Sequence, residues 1–438
     1  MQQILAESRG LSTSIFSNFI DDSRSRKKLI VQPRLGFGRI QQMRHALQQI
    51  KASGTNCIGT LTLDSYTRGG DYAFVEKCLA EDGGGGLNGY PIVNHPPSAT
   101  RDMLGGLLAE DFPIQVRHGT PRPLDIFKRM VALGLDATEG GPVSYCLPYG
   151  RVALEEATRC WREASRFLAQ ETTFGHLESF GGCLMGQLCP PSLLIAMSIL
   201  ECMFFRAAGM RSVSMSYAQG PSHPQNRAAL KVLRELAGSM LGDVHWHVVV
   251  YTYMGVFPAT KRGAAMLIED SARLARQAGC ERLIVKTTIE RRQIPSVFEN
   301  VHALQLADRT AASVPADTRL GPEEQAFYEE IREETTALLD AVLNQASEIG
   351  EAILLAFKDG ILDVPYCIHA DNAGLARSII DGRGALRWAA LGKLPFSSAH
   401  AVGNSGQGSM TAAGLLRQLN YVADTYDRAP SLTASGAG

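Results

Sequence analysis

From about residue 28 to 290 the chain alternates short β-like runs with longer stretches of helical periodicity. The β-like runs are 28–33 (KLIVQP), 56–61 (NCIGTL), 113–116 (PIQV), 134–138 (GLDAT), a weak one at 181–186 (GGCLMG), 212–215 (SVSM), 244–251 (VHWHVVVY) and 282–285 (RLIV). Several are rich in Val and Ile and are bounded by Gly or Pro, the pattern of strands buried on both faces. Between them, 39–53 sets Ile40, Met43, Leu47 and Ile50 on one helical face, 124–133 does so with Ile126, Met130 and Leu133, and 261–278 offers Met266, Ile268 and Leu274. Eight β-like runs, each followed by a helix or helical loop, predict an α/β fold, a (β/α)8 or TIM barrel over residues 28–312. A doubly wound open sheet is the competing architecture, but the first run leads only to a lone G-x-G in QPRLGFGR and lacks the G-x-G-x-x-G turn of dinucleotide binding. Beyond about 312 the character changes. An acidic amphipathic helix is predicted over 322–346, then a mixed segment, so that 313–428 reads as a C-terminal α+β extension, with 1–27 as an N-terminal arm and 429–438 as a flexible tail. GNSGQG at 403–408 reads as a loop, since no strand precedes it.

Composition narrows the function. Apolar residues make up 45% of the 438 and charged residues 20%, which excludes a mostly disordered chain. The 43 basic and 44 acidic residues nearly cancel, so no global field grips nucleic acid or an acidic membrane, and any affinity for anions must come from a few placed cations. Nine scattered cysteines, without a C-x-x-C pair, point to neither a disulfide framework nor a zinc knuckle. The opening MQQILAESRG has no apolar signal core, and the longest apolar stretch, around 192–208, is interrupted by Glu201 and Arg206. A soluble, cytoplasmic protein in a reducing compartment is expected.

In a β/α barrel the chemistry gathers at the C-terminal ends of the strands. Those ends carry Arg34, Arg68, Arg117, Glu139, Tyr217 and Lys286. Desolvated guanidinium groups need anionic partners, and their forks match carboxylates two bonds at a time. Three of them at one mouth would orient a small dicarboxylate; the alternative is ordinary ion pairs with neighbours such as Asp64 or Glu139. Glu139 can hold an ammonium group, act as a base, or simply pair with an arginine. His245 and His247 share a strand face, but two imidazoles are no metal site without a third ligand, and no metal site is expected. Lys286 suits a Schiff base if burial lowers its pKa, or a plain hydrogen bond to a ligand.

The segments QPRLGFG (32–38), LDSYTRGG (63–70), LNGYPIVN (87–94), QVRHGTP (115–121), ATEGGPVSYCLPY (137–149), LCPPS (188–192), YMGVFP (253–258), VKTTIE (285–290) with IP (294–295), and LDVPY (362–366) with Asn372 and Gly374 carry a resemblance. In collinear order over roughly 30–395, the chain resembles the epsilon (E) subunits of adenosylcobalamin-dependent glutamate mutase, also called methylaspartate mutase. The resemblance implies a β/α barrel and an isomerase that interconverts L-glutamate and 3-methylaspartate by a radical 1,2-shift. It implies that Arg34, Arg68 and Arg117 clamp the substrate carboxylates, that His118 is a further substrate contact, that Glu139 meets the amino group, and that Tyr145 and Tyr149 close the pocket. Catalytic weight falls on Glu139, Arg68 and Arg117. Gly36, Asn88, Pro148, Phe257, Lys286, Glu290 and Ile294 fall where the family meets the cobalamin, Lys286 and Glu290 on the adenosyl ribose.

The family's cobalt-binding D-x-H-x-x-G is missing, since Asp243 and His245 stand in DVHWH without the glycine. The resemblance therefore implies a separate small cobalamin-binding subunit that supplies the axial histidine and shares the cofactor, within a heterotetramer that contains a self-dimer of this chain. GHLESFGGCLMG (175–186) departs from the family at the fifth strand, where it can alter which dicarboxylate fits. A paralogous mutase for a related dicarboxylate, a cofactor-free lyase or aldolase using Lys286, and a non-catalytic dicarboxylate binder are the other readings.

Overall fold

A computed structural model describes residues 14–148, 150–184, 186–397, 401 and 410–429. Tyr149, the 403–408 loop and all but the first residue of the expected tail lie outside the described residues. In chain order the elements are α1 (Ile15–Ser25), β1 (Ile30–Pro33), α2 (Ile40–Lys51), β2 (Gly59–Thr62), α3 (Ser65–Gly69), α4 (Tyr72–Asp82), α5 (Pro97–Leu104), β3 (Ile114–Arg117), α6 (Leu124–Ala132), β4 (Ala137–Gly140), α7 (Leu154–Glu171), β5 (His176–Ser179), α8 (Pro191–Ala207), β6 (Ser212–Ala218), α9 (His223–Met240), β7 (His245–Tyr251), α10 (Lys261–Gln277), β8 (Arg282–Val285), α11 (Val297–Ala312), α12 (Pro322–Leu343), α13 (Ile349–Asp359), β9 (Arg377–Ile380), β10 (Leu386–Ala390) and α14 (Ala412–Arg428).

Strands β1 to β8 form one parallel sheet in the order β1-β8-β7-β6-β5-β4-β3-β2. The ring closes between its two ends through a parallel bridge from Val31 to Cys57 and the bond from Val31 N–H to the Asn56 carbonyl. This is the expected (β/α)8 barrel. Helix α1 plugs its N-terminal opening, where Phe16, Phe19 and Ile20 pack on Ile30, Ile58 and Ala137. Ser14 caps α1 by accepting from Ser17 N–H. The C-terminal extension is α+β, as expected: α12 packs on α8 and α9, and β9 and β10 pair antiparallel. Its Phe327, Ile331, Leu338, Ile353 and Trp388 belong to the same apolar cluster as the barrel helices. The terminal helix α14 lies against α10, and its Asp427 accepts from Ala259 and Thr260 N–H at the start of that helix. Among the described residues no helix is long and apolar enough to cross a membrane; the apolar 192–208 stretch is α8, buried along nearly its whole length.

Two expectations need correction. The fifth strand is His176–Ser179, not 181–186, which begins instead with a 3-10 turn at Gly181–Cys183. The true strand was missed because its inward side chains, His176 and Glu178, are polar, and an apolar run was the signal sought. The glycines are there for packing: a Cβ on Gly182 would sit 1.6 Å from the Ser216 carbonyl oxygen, so the turn presses directly on β6. Tyr217 does not end a strand; it lies inside β6 and its hydroxyl donates to Asn226 Oδ1.

Side chains alternate along a strand, so residues two apart share the barrel interior. One interior layer holds Gln32, Gln115, Glu178, Ser214, His247 and Arg282, joined by hydrogen bonds across the ring. Two residues beyond Gln32 and Gln115 come Arg34 and Arg117, and four beyond His247 and Arg282 come Tyr251 and Lys286. Strand parity thus lifts these four side chains to the C-terminal mouth of the barrel.

Candidate active site

Glu139 stands at the centre of the mouth, 1% exposed. Arg117 Nε donates to its Oε2 at 2.7 Å, Tyr251 Oη lies 2.7 Å from the same oxygen, and the Tyr145 hydroxyl donates to Oε1. The Arg117 guanidinium also lies over the Tyr251 ring, 5.4 Å from its centroid. Burial works against the Arg117 charge, but Glu139 beside it, with Tyr251 and Tyr145, raises its pKa well above the usual arginine value. Tyr251 Oη is also 2.5 Å from Glu178 Oε1. A phenol has one proton, so this hydroxyl links two carboxylates but donates to one at a time.

Around this centre the other cations differ. Arg68, on the short helix α3, bonds through Nε to the Asp64 carbonyl and lies against Gly119, where an added Cβ would be 3.6 Å from its Nη1. Among the described residues no carboxylate is within ion-pair distance of it. Helix α3 is aimed by Asp64, which accepts from Tyr66 and Thr67 N–H, and is stopped by Gly70 at φ 78°. Arg34 pairs with Glu290 at 2.9 Å, and Lys286 Nζ lies 3.6 Å from the same oxygen and 5.1 Å from the centre of the Phe257 ring. Burial brings the Lys286 pKa down to about 8, against the pull of Glu290. Gly36 follows Arg34 where a Cβ would meet the Thr62 carbonyl at 2.2 Å. Asn88 Oδ1 accepts from Ser65 N–H, Pro148 is half-buried in the turn after β4, and Ile294 is 71% exposed beyond β8. His245 bonds to Asp21 and Ser212, away from the mouth, while His247 accepts from Arg282 inside the barrel. Among the described residues no His, Cys, Asp or Glu cluster is arranged to hold a metal.

A family model described as Methylaspartate mutase E chain (MutE) matches residues 12–412. The chain belongs to that family. Relatives named glutamate mutase epsilon subunit include one from Desulfitobacterium hafniense (strain Y51), 31% identical over 87% of this chain and 81% of its own. Another, from Escherichia coli O157:H7, is 32% identical over 84% of this chain and 78% of its own. A third, from Haloarcula marismortui, is 33% identical over 81% and 74%.

In this member of the family the structure brings Arg117, His118, Glu139 and Tyr145 into one buried group, and Arg34, Phe257, Lys286 and Glu290 into a second. Tyr251, Glu178 and Phe180 complete the first group and were not singled out from the sequence. Phe180 sits between the rings of Tyr145 and Tyr251, at 5.2 and 5.4 Å. The signal for Tyr251 was present in VHWHVVVY, where it has the same parity as His247. Glu178 was hidden with the misplaced fifth strand.

His118 stacks on Trp161 at 5.7 Å and meets the Tyr145 ring edge-on at 5.2 Å. Thr120 N–H points at its Nδ1, 3.5 Å away, which leaves the proton of the neutral ring on Nε2, a buried atom with no partner among the described residues. Burial, helped by Arg68, pushes its pKa down to about 3 from 6.5. A folded value below the unfolded one means that His118 contributes its full stability above about pH 6.5 and loses it progressively as the pH falls toward about 3. Across that window the wild type is expected to lose about 1.4 kcal/mol more per pH unit than His118→Phe, whose ring keeps the stack. Urea titrations of both proteins check this, and parallel pH slopes would sink it.

Proposed function

We propose that the chain is the substrate-holding subunit of an adenosylcobalamin-dependent isomerase that interconverts L-glutamate and 3-methylaspartate, acting with a small cobalamin-binding subunit in a heterotetramer. The observation that carries this reading is the buried Arg117–Glu139 pair at the barrel mouth, with Arg68 against Gly119 in the turn after Arg117 and, among the described residues, without a carboxylate partner. Arg117 spends only its Nε on Glu139, and its terminal NH2 groups remain to grip a carboxylate. Arg68 and Arg34 take the other substrate oxygens, and His118 Nε2–H adds a neutral donor. Glu139, steadied by Tyr145 and Tyr251, receives the substrate ammonium and can accept its proton as the carbon skeleton fragments. Tyr149 is assigned to the closing of the pocket by resemblance. Charge-assisted bonds of this kind contribute about 1.5–3 kcal/mol each, enough together to fix which hydrogen is removed.

The residues present fit the cofactor. Thr62 Oγ1, Thr252 Oγ1, Tyr253 Oη and Thr287 Oγ1, all at or just beyond the C-terminal strand ends, are buried atoms without a partner among the described residues, which is where a polar ligand is needed. Ile294 and Phe298, 71% and 77% exposed, offer apolar surface on the same side. Gly36, Asn88, Pro148, Phe257, Lys286, Glu290 and Ile294 would hold adenosylcobalamin, with Lys286 and Glu290 on its ribose. When bound, the cofactor supplies the radical that starts the 1,2-shift. The chain's own part is to orient the substrate and exclude water and oxidants.

The test is to combine the chain with adenosylcobalamin and a small cobalamin-binding subunit and look for 3-methylaspartate formed from L-glutamate. Glu139→Gln is expected to raise KM, through the lost ammonium contact, and to lower kcat as well, and full turnover by that variant would remove the proton-accepting role. The lowered pKa of Lys286 favours a second reading, a Schiff-base lyase or aldolase. Borohydride with a keto acid separates the two, since only the lyase leaves an adduct on Lys286.

A further inference from the structure

Helix α8 is apolar along almost its whole length, yet at its centre it buries Glu201 completely. A buried carboxylate needs compensation. Among the described residues no cation supplies it; four hydrogen bonds do. Val143 N–H and Ser144 N–H donate to Oε1 at 3.1 and 2.9 Å, and the hydroxyls of Ser144 and Ser179 donate to Oε2 at 3.0 and 2.7 Å. Gly141 leaves room for this contact: a Cβ there would sit 2.1 Å from the Glu201 carboxyl carbon. The carboxylate therefore grips the turn 141–145 after β4 together with the last residue of β5. Tyr145, next to the gripped Ser144, holds Glu139, and Glu178, next to Ser179, meets Tyr251.

We propose that Glu201 is a positioning residue: ionised, it holds the 141–145 turn so that the Tyr145 hydroxyl stays on Glu139. The inference deepens the proposed mutase reading and rests on it for the role of Glu139. Among the described residues every hydrogen-bond partner of Glu201 is a donor, so the ionised form matches them all. A proton on the carboxyl needs an acceptor; the two backbone N–H groups offer none, and Ser179 Oγ already accepts from Gly181 N–H. Protonation must therefore turn a serine hydroxyl away or loosen the turn. Burial, opposed by the four hydrogen bonds, pushes the Glu201 pKa up to about 7. The titratable groups on the surrounding elements are engaged elsewhere or stay neutral. Cys202 on α8 and Cys183 on the 3-10 turn are buried thiols whose pKa burial raises. Tyr217 on β6 donates to Asn226, Glu178 on β5 is paired with Arg282, Glu139 on β4 with Arg117, and Glu334 on α12 accepts from Ser192.

The experiment measures kcat/KM for L-glutamate from about pH 6 to about pH 8, with the partner subunit and cofactor present, in wild type, Glu201→Gln and Ser144→Ala. Wild type is expected to lose activity as the pH falls through about 7. Glu201→Gln, which imitates the protonated carboxyl in shape, is expected to lose that limb and to stay about tenfold below the wild-type plateau, the worth of one net hydrogen bond, chiefly through kcat. Ser144→Ala is expected to keep the limb with a lower plateau. Difference infrared spectra, wild type minus Glu201→Gln, should show a protonated carboxyl growing in over the same range. A Glu201→Gln enzyme with the wild-type plateau and limb overturns the inference and leaves the mutase reading standing. A wild type that makes no 3-methylaspartate with any partner fails the mutase reading instead, and the infrared titration then decides whether Glu201 ionises as inferred.

Discussion

Replacing Arg117 with Met is expected to cost the fold about 3–5 kcal/mol, the range for breaking a buried ion pair by removing one partner. The reason lies in what is left behind. Glu139 is 1% exposed, and without the guanidinium the hydroxyls of Tyr145 and Tyr251 are the hydrogen-bond partners left to it among the described residues, while Tyr251 is also engaged by Glu178. Adding Glu139→Gln to Arg117→Met removes the stranded charge and is expected to restore most of the loss, which makes a double-mutant cycle the decisive form of the measurement. Urea unfolding of the four proteins provides it. A single Arg117→Met variant as stable as wild type would show that the pair contributes nothing. Function separates from stability in Arg117→Lys, which keeps the charge but not the fork. Two charge-assisted bonds to a substrate carboxylate, at about 1.5–3 kcal/mol each, correspond to a loss of about 10²–10⁴ in kcat/KM for that variant. Wild-type kcat/KM in Arg117→Lys would end the clamp as an explanation of substrate binding.

Much of this site was open to inspection in the chain itself, and the parts that were not share a cause. Arg34, Arg117 and Lys286 each follow or end a short apolar run, so the barrel rule alone sets them at one mouth. Arg68 was legible as the loop cation after the second run, although its helix, capped by Asp64, decides where it points. Glu139 was expected just beyond a strand and lies inside β4, because the pairing of that strand with β5 extends to Gly140. What escaped was the polar filling of the barrel. Apolar periodicity finds strands whose two faces are both greasy, whereas β5 presents His176 and Glu178 to an interior that also holds Gln32, Gln115 and Arg282. A strand that reads GHLES carries no such signal, and with it went Glu178. Tyr251 was passed over for a different reason: it closes an apolar run and reads as one more core aromatic until Glu139 and Glu178 are seen on either side of its hydroxyl. Helix α14 escaped through its place after glycine-rich sequence, with only Val422 and Ala423 buried to mark an inner face.

That polar filling leads to the second large effect, expected at Arg282. This side chain has no exposure and donates to Glu178, to His247 Nε2 at 2.8 Å, to Gln32 Oε1 at 2.7 Å, to Gln115 Oε1 at 3.3 Å and to Ser214 Oγ at 3.2 Å, with the Phe16 ring of α1 at 5.1 Å. Arg282→Met strands a buried carboxylate and several acceptors at once, and a loss of at least about 3–5 kcal/mol follows. Apolar replacement of both partners, Arg282→Met with Glu178→Leu, removes the charges together, and buried pairs exchanged in this way are often neutral in stability. The double variant is therefore expected to fold with much of the wild-type stability. Its activity is not expected to return. Glu178 is one of the two carboxylates that fix the Tyr251 hydroxyl, and without it that hydroxyl has only Glu139 to turn to, so the donor set around Glu139 changes although no residue of the clamp has been touched. Unfolding free energy and kcat/KM, measured on the same three proteins, separate the two roles. Recovery of both together would make the interior pair a packing element and nothing more, whereas recovery of stability alone shows that the layer beneath the mouth positions the residues at the mouth.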